Sequence, residues 1–212
     1  MTEPRFSRRA ALSLAALPTA LGLAGCSSRG EAGEAPEPRM TDRLPDTPLV
    51  GHDGRAARFY SDLVADRPVL INFMYARCQG SCPATVGLLR RLRPEITRVA
   101  GAEVRILSVT LDPAHDTPRI LADYARANAP EEPGLCEWRF LTGKPGDVDS
   151  LRRALGYWDP NPRVDADRSQ HAAMLTFGND RLDRWATMPV GIPERQMIRS
   201  IARILRGPGR TA

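Results

Sequence analysis

The run Val69-Leu70-Ile71-Asn72-Phe73-Met74-Tyr75 is apolar at nearly every position, which reads as a strand covered on both faces. After a short break, the apolar spacing of Pro83 to Leu92 predicts a helix reaching about Val99. Glu103 to Leu111 repeats the near-continuous strand pattern. Thr117 is a natural N-cap for a helix over Pro118 to Asn128, and Trp138 to Thr142 reads as a short strand. A helix from about Pro145 to Leu155 ends at Gly156. Residues 157–170 carry no periodicity and read as a mobile loop. Ala172 to Phe177 is a strand, Gly178-Asn179-Asp180 a hairpin turn, and Leu182 to Ala186 the return strand. The last helix, about Pro193 to Leu205, places Ile198, Ile201, Ile204 and Leu205 on its apolar face. Near the start, Leu49 to Phe59 gives two short strands about Asp53-Gly54, with a helical turn at Ser61-Asp62-Leu63.

Strands joined by helices imply parallel pairs with right-handed crossovers, and the closing hairpin adds antiparallel strands. The expected class is α/β: a thioredoxin-like fold with an N-terminal β-hairpin and extra helix and loop segments.

Residues 1–25 follow another pattern, that of an export signal. Ser7-Arg8-Arg9-Ala10-Ala11-Leu12 resembles a twin-arginine signal. The apolar run from Ala10 to Leu23, broken by Pro18, is well short of the roughly 20 residues that a spanning helix needs. It closes on Leu23-Ala24-Gly25-Cys26, which resembles a bacterial lipobox and implies lipidation of Cys26. Residues 26–45 are then a lipidated cysteine and flexible tether, 46–207 the folded domain, and 208–212 a tail. These features predict an extracytoplasmic or periplasmic protein tied to a membrane by lipid. In such a compartment paired cysteines can be oxidised and copper can be handled.

Composition narrows the classes further. Hydrophobic content of 42% and charged content of 26% are ordinary for a globular domain, and three positive charges of the net +5 (Arg5, Arg8, Arg9) lie in the leader. There is no basic stripe with interleaved aromatic residues, which argues against nucleic acid as a partner. Arg90-Arg91 and Arg152-Arg153 read as solvated helix faces, and Trp138, Trp158 and Trp185 as core or loop packing.

The chemistry concentrates in Cys78-Gln79-Gly80-Ser81-Cys82-Pro83, between the first buried strand and its helix. Pro83 suits the start of a helix, and a cysteine at that position meets the positive end of the dipole, which favours thiolate. If Cys78 and Cys82 share one helical turn, their Cα atoms lie about 6 Å apart, within reach of a disulfide or of one shared metal ion. The pair therefore suits redox or soft-metal chemistry. Cys136 reads as a small buried residue, His52 as a solvated turn residue, and His115 as a surface turn histidine. Met174 and Met188 read as strand packing, weak thioether ligation being the alternative.

Taken in order, Asp53-Gly54, Phe73-Met74-Tyr75, Cys78…Cys82-Pro83, Asp112-Pro113 with Asp116-Thr117-Pro118, Leu141-Thr142-Gly143 and His171 resemble the SCO/SenC family. Those proteins are needed for assembly of the copper A centre of cytochrome c oxidase. The resemblance covers roughly residues 45–205. It implies copper, Cu(I) and/or Cu(II), held by Cys78, Cys82 and His171. It also implies a metallochaperone role with an oxidase copper A subunit or another copper protein as partner. Two thiolates and an imidazole make a soft set suited to Cu(I). A redox-active Cys78–Cys82 pair, acting as a thiol–disulfide oxidoreductase on oxidase subunit cysteines or as a redox or copper sensor, is the alternative. Where the family often has an acidic residue before its histidine, Ser169-Gln170 stand here, and Asp165 or Asp167 is the candidate partner for the imidazole.

Overall fold

Consecutive apolar residues that cannot all point one way need cover on two faces, and the architecture provides it. The computed structural model describes residues 39–78, 80–166 and 174–206. The elements are β1 (Pro48–Gly51), β2 (Ala56–Arg58), β3 (Pro68–Met74), α1 (Ser81–Ala100), β4 (Arg105–Thr110), α2 (Pro118–Asn128), β5 (Glu137–Gly143), α3 (Pro145–Ala154), α4 (Pro162–Ala166), β6 (Met174–Asn179), β7 (Arg184–Pro189) and α5 (Glu194–Arg206). A single π-type turn, Phe59–Val64, links β2 to β3.

The strands form one sheet in the order β2-β1-β5-β4-β3-β6-β7. β3, β4 and β5 run parallel, and the β1–β2 and β6–β7 hairpins add antiparallel pairs at either side. The thioredoxin-like plan with an N-terminal hairpin is therefore present. Alternate β3 residues serve opposite cores. Leu70 and Met74 join Ile106, Phe140, Val86, Leu89, Ile96, Leu121 and Ile201 under α1, α2 and α5. Val69 and Ile71 join Leu107, Val109, Leu141, Phe59, Leu63, Val148 and Leu151 under the π turn and α3. Each such buried side chain contributes about 1.5–3 kcal/mol. The one polar break in β3 is matched across the sheet: Trp138 Nε1 donates to Ser108 Oγ (2.9 Å), whose hydroxyl donates to Asn72 Oδ1 (2.7 Å). This buried chain spans three strands and ties their register together.

Several expectations are corrected. The 157–170 stretch is not a structureless loop over its described part, because it contains α4. Arg152, expected on a solvated face, is 4% exposed. Its guanidinium binds both oxygens of Asp165 (2.6 and 2.8 Å), the Tyr157 carbonyl (2.6 Å) and Asp149 (2.6 Å), while Arg153 adds a further bond to Asp165 (2.8 Å). This network holds 157–166 against α3. Of the two readings given for Trp158, core or loop packing, the core one does not hold: it is 49% exposed and lies 6.0 Å from the Arg153 guanidinium.

The closing hairpin also turns later than expected. β6 runs through Gly178 and Asn179, a 3-10 turn spans Asp180–Leu182, and Asp183 adopts a left-handed conformation (φ 47°). Gly178 is required inside the strand because a Cβ there would run into the Trp185 ring. Accordingly β7 extends to Pro189 and buries Met188. In α5 the buried stripe is Met197, Ile201 and Leu205, with Ile198 and Ile204 flanking it.

Candidate functional site

Parallel strands β3 and β4 end side by side, and the first turns of α1 and α2 start from the same end of the sheet. The segments crossing that end are Tyr75–Gly80 and Leu111–Thr117. Leu111 N–H bonds Met74 C=O (2.7 Å), which keeps the two segments adjacent as they leave the sheet.

Cys78 and Cys82 meet here, and the condition that both share one helical turn is not the arrangement found. α1 begins at Ser81 with Gly80 as its N-cap, so Cys82 is in the first turn, Cys78 precedes the helix, and Pro83 is the third helical residue. Both cysteines are free thiols; Cys82 is 7% exposed and Cys78 half-buried. Their environments pull in opposite directions. Burial raises the Cys78 thiol, but hydrogen bonds from the Cys82 thiol, the Cys82 and Gly80 backbone N–H groups and the Tyr75 hydroxyl outweigh it, leaving a net lowering. Cys82 is pushed up to about 12 by burial, by donating to Cys78 and by the negative charge there. Tyr75 reaches both sulfurs, through its hydroxyl to Cys78 and its backbone N–H to Cys82.

Around this pair stand residues whose part was not foreseen. Tyr124 of α2 packs edge-on to Phe140 (5.5 Å). Its phenol is pushed up to about 12 by burial, then by Cys82, Cys78 and Asp116. Asp116 is fully buried, its Oδ2 accepting from Ala76 N–H (2.9 Å) and Thr110 Oγ1 (2.6 Å), with His115 Nδ1 3.0 Å from Oδ1. Arg77 pairs with Asp112 (2.7 Å). The Asp-Pro…Asp-Thr-Pro motif carried the signal for Asp112 and Asp116, and the expected Thr117 cap is present, accepting from Ile120 N–H. Tyr75 belonged to the Phe73-Met74-Tyr75 motif without a role assigned to it, and nothing local marked Tyr124.

The other expected residues are distributed as follows. His171 and Cys26 lie outside the described residues, as does Asp167. Asp165 is engaged by Arg152 and Arg153. His52 lies in the turn after β1 as expected but is part-buried, its backbone N–H bonding Phe140 C=O (2.8 Å) and its Nδ1 accepting from Phe140 N–H (3.2 Å). His115 is part-exposed, against Asp116. Cys136 is buried as expected, with its carbonyl capped by Arg93 (2.6 and 2.9 Å). Met188 packs in the α1/α5 core and Met174 against the opposite one. Among the described residues, no cluster of three histidine, cysteine or carboxylate side chains forms a complete metal cage. The two thiols are a pair of soft donors.

Similar proteins agree with this architecture. The chain superposes on a SCO1/SenC family lipoprotein from Bacillus anthracis with a TM-score of 0.60 and 17% identity, covering 76% of this chain and 94% of that one. It superposes on Bradyrhizobium japonicum ScoI with copper bound with a TM-score of 0.58 and 20% identity, covering 76% and 99%. A relative from Stutzerimonas stutzeri, named "Putative copper-binding protein", is 26% identical over 117 residues, which is 53% of this chain; the match spans about half (52%) of that relative's length. The SCO1/SenC family pattern runs over residues 45–206, from the N-terminal hairpin through α5, and the chain belongs to that family.

Proposed function

We propose that this protein is a membrane-tethered, extracytoplasmic copper carrier that receives copper through Cys78, Cys82 and His171. It passes the metal by ligand exchange to the copper A centre of cytochrome c oxidase or to another copper protein. The observation that carries this reading is the contact between two free thiols at the start of α1, in a chain of this family. Soft sulfur donors select Cu(I), and a half-exposed Cys78 beside a buried Cys82 leaves one side of the bound ion open to an incoming ligand. Binding displaces the Cys82 proton, whose thiol is otherwise held neutral, so copper uptake is coupled to proton release. Bradyrhizobium japonicum ScoI, which shares this fold, carries copper, and that supports copper as the metal here; Cys26 supplies the membrane tether.

Copper titration of the reduced chain tests the proposal. Wild type takes up about one equivalent, because one soft site is present. Cys78→Ser and Cys82→Ser lose it, and His171→Ala weakens it. Full affinity in His171→Ala removes that residue from the site, and full affinity in both cysteine variants removes the proposal.

The asymmetry of the thiols favours a second reading, thiol–disulfide exchange. The Cys78 thiolate attacks a target disulfide and displaces one target thiolate. Cys82 then attacks the Cys78 sulfur and releases the other, so two electrons pass to the target and a Cys78–Cys82 disulfide remains. A target-reduction rate that ignores copper and His171→Ala, but is lost in Cys78→Ser, distinguishes this role.

A further inference from the structure

We infer that Asp116 is a positioning residue for the thiol pair, acting through the peptide plane between Tyr75 and Ala76. This inference rests on the copper reading above. One rigid peptide unit carries both groups that matter. Its N–H, on Ala76, donates to Asp116 Oδ2 (2.9 Å), and its C=O, on Tyr75, accepts the Cys78 N–H (3.1 Å). Peptide planarity makes the two ends turn together, so fixing the N–H fixes the oxygen from which Cys78 hangs.

The carboxylate is built for that task. Asp116 is fully buried, 40 residues from Ala76 in sequence, and engages no arginine among its described bonds. Its negative end is met by the Ala76 N–H, by the Thr110 hydroxyl (2.6 Å) and by His115 (3.0 Å). The same Thr110 oxygen accepts the Asp112 N–H (2.9 Å), and Asp112 pairs with Arg77, the residue before Cys78. One buried side chain therefore fixes the cysteine turn directly at Ala76 and, through Thr110 and Asp112, again at Arg77. The described bonds of Asp116 run to Ala76, Thr110 and His115 and not to either sulfur.

Two readouts on the full chain test this. In amide exchange followed by NMR without copper, Asp116→Ala strips protection from Ala76 and Cys78 together. Leu121, whose N–H bonds Thr117 C=O (2.9 Å) at the start of α2, keeps its own protection. Asp116→Asn, whose amide oxygen still accepts from Ala76, keeps all three. In Cu(I) competition, Asp116→Ala loses about 10–100-fold in affinity, the usual cost of removing an outer support of a metal ligand, and Asp116→Asn stays near wild type. Unchanged protection at Cys78 in Asp116→Ala overturns the inference. So does an Asp116→Asn that falls as far as Asp116→Ala, because charge and not the held plane would then be at work. If Asp116→Ala does not fold, Thr110→Val removes the hydroxyl that steadies the carboxylate and must still raise exchange at Ala76 and Cys78. A wild-type chain that takes no copper defeats the copper reading, while the exchange experiment still decides the role of Asp116.

Discussion

At the residue scale, four residues apart in sequence is enough for Cys78 and Cys82 to become chemically unlike. Cys78 sits before the helix where N–H groups and the Tyr75 hydroxyl point at its sulfur, whereas Cys82 is inside the first turn with its proton directed to Cys78. A lowered pKa means thiolate is present at lower pH, so iodoacetamide should label Cys78 with an inflection below the ordinary thiol value. Cys82, raised by burial and by Cys78, should label only at higher pH than Cys78. Tyr75→Phe removes one donor and should move the Cys78 inflection upward. Peptide mapping after alkylation across pH checks this; equal labelling of both thiols, or Cys82 labelled first, contradicts it. The pair itself was legible in the sequence because CxxxC-Pro is local. Tyr124 and Asp116 were not legible as neighbours, since sheet pairing brings them to the cysteine turn from 40 or so positions downstream.

At the element scale, the long strand and helix patterns were readable because burial on fixed faces imposes a period, and β3, β4, α1 and α2 fall within a few residues of expectation. The misread element was the stretch after α3. Arg152-Arg153 looks solvated when only its own helix is considered, and Asp165 looks like loop. Their bidentate contact across the turn at Pro160–Pro162 is what folds α4 back onto α3. Removing the carboxylate leaves the buried Arg152 guanidinium with only Asp149 and the Tyr157 carbonyl. Asp165→Ala should therefore cost about 3 kcal/mol, the low end for breaking a buried pair. Arg153→Ala, at a half-exposed position, should cost under about 1 kcal/mol. Chemical unfolding compares the two; equal losses would show that burial of Arg152 does not set the energy.

For the whole molecule, the chemistry is confined to one end of the sheet and much of the ionic stitching to its flanks, so acid should act on the flanks. Asp46 is lowered to about 2: burial opposes this, but the Ser61 backbone N–H and side chain and the Arg58 guanidinium prevail, tying the entry segment to the π turn. Asp165 is held lower still, chiefly by hydrogen bonds from Arg152. Both bind fewer protons folded than unfolded in the acid range, where the unfolded value is near 3.8. Stability from each is complete above that value and lost as pH falls through the folded one. Both flank the same core, the one under the π turn and α3. The urea midpoint should thus be level near neutrality and decline from about pH 4 downward. Asp46→Asn with Asp165→Asn should lower the neutral plateau and flatten that acid limb together, since neither side chain can then take up a proton. A double variant that keeps the full wild-type slope would assign acid sensitivity elsewhere.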